Sequence, residues 1–239
     1  MKVRELMTAP ALSIQPGENV EVAARTLTQY NIGALPVCSA EGRLYGLVTD
    51  RDLMTRCVAA GRRPNATRVA DVMTAGPVFV SPDMDAGAAA HLMGRKQVRR
   101  LPVVEDGKLC GMLTLADLAR QEANFDYHLD VNGAQYLAPK SVMEEITAEC
   151  AAKGWPIPQT PGQFAHAIYQ SLAHAYASAL QQLEDITGER FDTLCIVGGG
   201  ANNQYLNELT EKAIQRPVVT GSAEATALGN ILMQEAAYV

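Results

Sequence analysis

The 239-residue sequence contains no CxxC pair, no GxGxxG and no Walker-type phosphate loop. Its five cysteines, at 38, 57, 110, 150 and 195, stand singly. An odd, scattered set gives neither a disulfide framework nor a cysteine zinc site, and buried thiols in a reducing cytosol are expected instead. Positive charge is scarce in one half. Residues 123–239 hold 5 Lys+Arg against 13 Asp+Glu (−8), residues 1–122 hold 15 against 13 (+2), and the sum is −6. No basic stripe of the kind a nucleic-acid binder needs is present, and two compositions suggest two modules. Gly154 to Leu183 has no Asp, Glu, Lys or Arg, yet His166, His174, Gln163 and Gln170 make it too polar for a membrane span. Lys2, Arg4 and Glu5 stand where a signal peptide has its apolar core. A cytoplasmic protein with no membrane or nucleic-acid partner is expected. What is present is a 48% apolar, 19% charged composition, enough for a sizeable core.

The first half repeats itself. Met7-Thr8, Pro16 and Pro36-Val37 recur as Met73-Thr74, Pro82 and Pro102-Val103, each 66 residues on. Gly46-Leu47-Val48-Thr49 and Asp52-Leu53 recur as Gly111-Met112-Leu113-Thr114 and Asp117-Leu118, 65 on. Each copy reads as a short strand (Leu12 to Ile14, Val78 to Val80), a helix and a hairpin. In the first copy Val20, Ala23, Ala24 and Leu27 share a helical face. The hairpins turn at Glu41-Gly42 and Asp106-Gly107.

Thr49 and Thr114 then stand where a strand hands over to a helix. A hydroxyl at a helix N-terminus can hold a phosphate among unpaired N–H groups, and an Asp three residues later can accept from a ribose diol. A Thr N-cap with a first-turn acid favours any helix, so one copy does not decide between these readings. Two copies in register favour the ligand. Gly46 to Asp52 and Gly111 to Asp117 both fit Gly-apolar-x-Ser/Thr-x-x-Asp, and through this motif residues 1–122 resemble a tandem pair of CBS domains. That resemblance implies an α+β pair, repeat 1 over 1–65 and repeat 2 over 66–122, with adenosine ligands in the clefts between repeats. It implies that Thr49 and Thr114 reach phosphate or ribose, and that Asp52 and Asp117 hold the ribose hydroxyls. AMP, ADP, ATP and S-adenosylmethionine all fit, and a homodimer is the implied assembly. Arg99 and Arg100 are candidates for phosphate charge; a solvated strand edge is the alternative.

In the second half, Thr160-Pro161-Gly162-Gln163 forms a capping box with Pro at the first helical position. The spacing of Phe164, Ile168, Leu172, Tyr176, Leu180 and Leu183 predicts a helix over 161–187, stopped by Gly188. His166 and His174 fall in it without a carboxylate at ligand spacing, so no tightly bound metal is expected. Thr193 to Val197 reads as a buried strand, followed by Gly198-Gly199-Gly200 and a helix from about Asn203. Such a turn lets a ligand approach the backbone, although a tight turn alone explains it.

Residues 126–236 resemble the C-terminal part of a rhamnulokinase-like sugar kinase of the FGGY group, through Tyr136-Leu137-Ala138-Pro139, Pro156-Ile157-Pro158, Ile196 to Gly200 with Asn203, and Glu224 to Asn230. The resemblance implies an incomplete α/β, actin-like (ribonuclease H-type) ATP-binding segment over 123–239. It implies ATP contacts at Gly198, Gly199, Gly200 and Asn203; Asn202 departs from the family's usual Gln or Arg. A sugar kinase also needs an N-terminal domain and an Asp base, and neither has a counterpart in these residues, so no catalytic residue is assigned. Three readings follow: a nucleotide-sensing module carrying a kinase segment, a sensor–effector fusion completed by another chain, or a rhamnulose kinase. The missing parts favour the first.

Overall fold

A computed structural model describes residues 1–198, 201 and 203–221 and falls into two units, Met1–Leu118 and Ala119–Val239. In the first unit the repeats build two similar halves. Helix α1 (Val20–Gln29) starts where the Asn19 side chain accepts from the Val22 N–H, and it buries Val20, Ala23 and Leu27. Ala24, expected on that face, is exposed. The buried stripe is centred near Leu27, and at about 100° per residue Ala24 lies on its rim.

Strand β1 (Ala34–Cys38) pairs antiparallel with β2 (Leu44–Thr49), Ala34 opposite Thr49. Helix α2 (Asp50–Asp52) follows and continues as a π-turn, Leu53–Val58. A short strand β3 (Thr74–Ala75) completes this sheet. The second half repeats the plan with α3 (Ala86–Lys96), β4 (Arg100–Glu105), β5 (Lys108–Thr114) and α4 (Leu115–Gln121). Its hairpin turns on Asp106 (φ 50) and Gly107 (φ 77), the paired left-handed conformations a two-residue turn needs.

The expected strands Leu12 to Ile14 and Val78 to Val80 reduce to single parallel bridges, Ile14 to Val37 and Val80 to Val103. Pro16 and Pro82, two residues on, carry no N–H to extend the ladder.

The two halves exchange their leading arms. Thr8 pairs with Met112 of β5, its N–H donating to the Met112 carbonyl at 2.8 Å and its carbonyl accepting from the Met112 N–H at 3.0 Å. Thr74 and Ala75 pair with Leu47 and Gly46 of β2 in the same way. The cores follow the exchange. Val69 and Val72 join Val20, Leu35, Val48 and Leu53, whereas Val3 joins Val80, Leu101, Leu113 and Leu118.

In the second unit, α5 (Val142–Lys153) is capped by Ser141 and ended by Gly154. Helix α6 (Pro161–Thr187) begins at Thr160, which accepts from the Gln163 N–H, and ends at left-handed Gly188. The reciprocal contact differs from a capping box, since Gln163 accepts from Gln159 N–H at 2.7 Å. Strand β6 (Leu194–Ile196) runs parallel to β7 (Val218–Thr220), with α7 (Gln204–Ile214) between them. The core gathers Tyr127, Leu129, Ile146, Cys150, Phe164 and Ala167.

The expected helical stripe is only partly buried, for Leu183 is 52% exposed, and Ile186 on the turn after it is 84% exposed. The same holds for β6, whose neighbour Val197 is 50% exposed. Among the described residues the sheet has two strands, too few to cover both faces. Cys195 is accordingly exposed, against the expected buried thiol, while Cys38, Cys57 and Cys150 are buried. No helix among the described residues is long and apolar enough to cross a membrane.

Candidate functional site

Each copy of the motif folds into the same reciprocal cap. Thr49 Oγ1 accepts from Asp52 N–H at 3.1 Å, while Asp52 Oδ2 accepts from Thr49 N–H at 3.0 Å and from its hydroxyl at 2.7 Å. In the second copy the Thr114 hydroxyl accepts from Asp117 N–H at 3.2 Å, and Asp117 Oδ2 accepts from the Thr114 N–H and hydroxyl, both at 2.8 Å. A strand end and a helix start thus present a hydroxyl and a carboxylate side by side, half-buried. The glycine that opens the motif is needed for packing. A Cβ on Gly46 would meet Met73 Sδ at 2.5 Å and the Thr74 carbonyl at 3.0 Å, and one on Gly111 would meet Met7 Sδ at 2.6 Å and the Thr8 carbonyl at 3.0 Å.

Arg100 links the two copies. It stands opposite Thr114 in the β4–β5 register, and its guanidinium lies beside Gly33 of the other repeat. There Arg100 Nη1 and Asp50 Oδ2 come within 3.2 and 3.4 Å of the place a Cβ would take. Burial pulls the Arg100 pKa down and the nearby Asp50 carboxylate opposes it; a guanidinium keeps its charge regardless. A half-buried cation therefore sits where the two motif ends converge. Arg99, its neighbour, is exposed and contributes its carbonyl, which accepts from Leu115 N–H at 2.8 Å.

The first copy carries a further contact. Arg56 pairs with Asp52 Oδ1 at 3.2 Å and donates to the Val72 carbonyl at 2.8 Å and Thr74 Oγ1 at 3.1 Å, tying the first cap to the arm of the second repeat. Position 121, the equivalent place in the second copy, is Gln. Sequence reasoning missed Arg56, although its i,i+4 spacing from Asp52 was a usable signal. Asp50 and Gly33 had none, because their role comes from a neighbour far along the chain.

In the second unit, Gly198 has φ 79 and its carbonyl accepts from Ala201 N–H at 3.0 Å. The Asn203 side chain caps α7, accepting from Leu206 N–H at 3.2 Å, so that oxygen is committed to the helix. Asn207 donates to the Ala201 carbonyl at 3.0 Å; among the described residues its buried Oδ1 has no partner. Gly199 and Gly200, Asn202, and Glu224 to Asn230 lie outside the described residues.

His166 is buried, its ring between Tyr205 OH (2.9 Å) and the Phe125 carbonyl (3.1 Å). The carbonyl can only accept, so Nε2 donates to it. His174, in contrast, does have a carboxylate partner: Asp126 reaches it at 2.9 Å from 48 residues away. The fold brings together what sequence spacing did not.

Comparison with known proteins matches both halves. The CBS domain model covers residues 3–59 and 69–124, and the model for the C-terminal domain of the FGGY family of carbohydrate kinases covers 140–238. The rhamnulokinase of Ligilactobacillus salivarius (strain UCC118) is 42% identical over 120 residues, 50% of this chain and 25% of that protein. The chain thus spans about a quarter of the length of the rhamnulokinases it matches. The uncharacterized protein YlbB of Bacillus subtilis (strain 168) is 41% identical over 122 residues, 51% of this chain and 82% of that protein. Among solved structures, hypoxic response protein I is 32% identical with a TM-score of 0.48, over 50% of this chain and 98% of that one. The chain belongs to the CBS domain family through residues 3–59 and 69–124, and at 140–238 it carries the C-terminal domain of the FGGY carbohydrate kinases.

Proposed function

We propose that the first unit is a regulatory module that binds an adenosine ligand, AMP, ADP, ATP or S-adenosylmethionine, between its two repeats. The convergence at Arg100 carries this reading: Arg100 pairs with Thr114 in the β4–β5 register, and its half-buried guanidinium lies beside Asp50, the residue after Thr49. A hydroxyl at a helix start and a fixed cation suit a phosphate or carboxylate, and the paired Asp52 and Asp117 suit ribose hydroxyls. Arg99, being exposed, is the outer member of the proposed set. In the first cleft Arg56 pairs with Asp52 and would share that carboxylate with the ligand. A homodimer fits the exposed Met54 and Val58, four residues apart, and sedimentation velocity on the whole chain tests it. A cytoplasmic setting fits ligands of this kind.

Phosphoryl transfer is done by positioning and electrostatics from two domains. A chain spanning about a quarter of the rhamnulokinases it resembles supplies, in this reading, a nucleotide-binding segment built on Gly198 to Gly200 and Asn203, not a complete catalyst. A second reading, favoured by the 42% identity to a rhamnulokinase, has this segment join a partner chain in phosphorylating L-rhamnulose from ATP under control of the first unit.

Thermal unfolding with each ligand, beside Asp52→Ala/Asp117→Ala, tests both. Ligand at about a hundred times its Kd should stabilise by roughly 2.7 kcal/mol. Both aspartates also cap helices, so the readout is the ligand-induced shift within each variant. Loss of the shift in the double variant supports the clefts. An ATP shift that survives points to the glycine turn and the second reading, and no shift with any ligand removes the sensing proposal.

A further inference from the structure

Asp126, His128 and His174 form a cluster that neither reading above uses. His174 Nε2 stands 2.9 Å from Asp126 Oδ1, and His128 Nε2 stands 3.2 Å from Oδ2. The two imidazoles face each other at 3.9 Å between centroids and 22° between planes. One ligand atom from each of the three residues lies within 4.8 Å of the others. We propose that these three side chains bind a first-row divalent cation of the zinc type, with the remaining coordination positions open to water.

The donor set selects the class. Imidazole nitrogen suits zinc, cobalt, nickel and copper, whereas magnesium and calcium take oxygen. The spacing fits as well. Zinc holds nitrogen and oxygen at about 2.0–2.1 Å, which puts tetrahedral ligand pairs about 3.3 Å apart. The imidazole-to-carboxylate separations of 2.9 and 3.2 Å, one to each oxygen of Asp126, are close to that, and within a set of one ligand atom per residue no pair is more than 4.8 Å apart, so an ion is reached by rotation of the exposed side chains.

The backbone holds the ligands in place. Tyr127 and Leu129 point into the core, 3% and 6% exposed, and in an extended segment this turns Asp126 and His128 to the opposite side. Their neighbours are tied to α6: Tyr127 N–H donates to Gln170 Oε1 at 3.2 Å and Leu129 N–H to Ser171 Oγ at 2.9 Å. His174 lies on that same helix one turn beyond. Gln170 also donates to Asp126 Oδ1, an outer contact of the kind that orients a ligating carboxylate. The side chains of Asp126, His128 and His174 are 63%, 52% and 33% exposed. A cavity of about 380 Å³ reaches His128 and His174, and one of about 750 Å³ reaches Asp126 and His174. An ion therefore has access from solvent, and once bound it clips the segment around Tyr127 to α6.

The test is calorimetric titration of the full chain with zinc chloride, in a Cys195→Ser background that removes the exposed thiol as a competing ligand. One zinc per chain is expected, with a rise in unfolding midpoint and no binding of magnesium at the same concentration. His174→Ala and, separately, His128→Ala should each weaken zinc at least about 100-fold, since even outer-shell changes cost about 10–100-fold. Unchanged circular dichroism shows that these surface variants fold. Zinc binding of equal strength in both variants, or no zinc binding by the parent, overturns the proposal.

Discussion

Thr49 and Thr114 each cap a helix and, in the proposed function, meet a ligand, so their removal has two separable effects. Thr49→Ala and Thr114→Ala should each lower stability by about 1 kcal/mol without ligand, measured by denaturant unfolding, and should also reduce the ligand-induced shift. A second residue sets acid sensitivity. Glu149 accepts from Asp130 N–H at 2.9 Å, Tyr136 OH at 2.9 Å and Lys153 Nζ at 2.7 Å. Burial pushes its carboxyl up, but these donors together bring it below the ordinary range. Its stabilising effect is therefore complete above the ordinary carboxylate pKa and is lost as pH falls through the lower folded value. Between about pH 6 and pH 3 the wild-type melting temperature should drop more than that of Glu149→Gln. The caps were legible in the sequence because their partners are three residues apart. Arg100 beside Asp50, and Asp126 beside His174, join residues about fifty apart, and no local pattern announces them.

Helices and hairpins were legible wherever a punctuating residue marks the end. Thr160, Pro161 and Gly188 bound α6 as expected, and Asp106-Gly107 turns its hairpin. Periodicity gave the direction of α6 but not its depth, since a repeating apolar face says nothing of how far its cover extends. Phe164→Ala should cost about 3–5 kcal/mol, whereas Leu183→Gln and Ile186→Gln should stay within about 0.5 kcal/mol of wild type. At β2 and β5 the limiting factor is space. Gly46→Ala and Gly111→Ala force a methyl against a methionine sulfur and a backbone carbonyl, and each should destabilise by about 1–3 kcal/mol. Gly17→Ala, with open space around it, is the control and should be close to neutral.

For the molecule as a whole, the charge contrast between halves announced two modules, and the contacts divide the chain at Leu118. Separate cores on either side predict two calorimetric transitions, of which an adenosine ligand should raise one. A single transition that moves as a whole would show the units to be coupled. The repeats within the first unit behave differently, because each lends its leading arm to the other's sheet. The primary sequence invites a cut between residues 65 and 66, but neither product would own its full sheet. Damage at one end of the unit is therefore felt at the other: loss of residues 1–8 would strip the Thr8 bridge and the buried Val3 from the repeat beginning about sixty residues later. Inheritance meets the same constraint. What can be copied or spliced from one protein to another here is the pair, as a single heritable part.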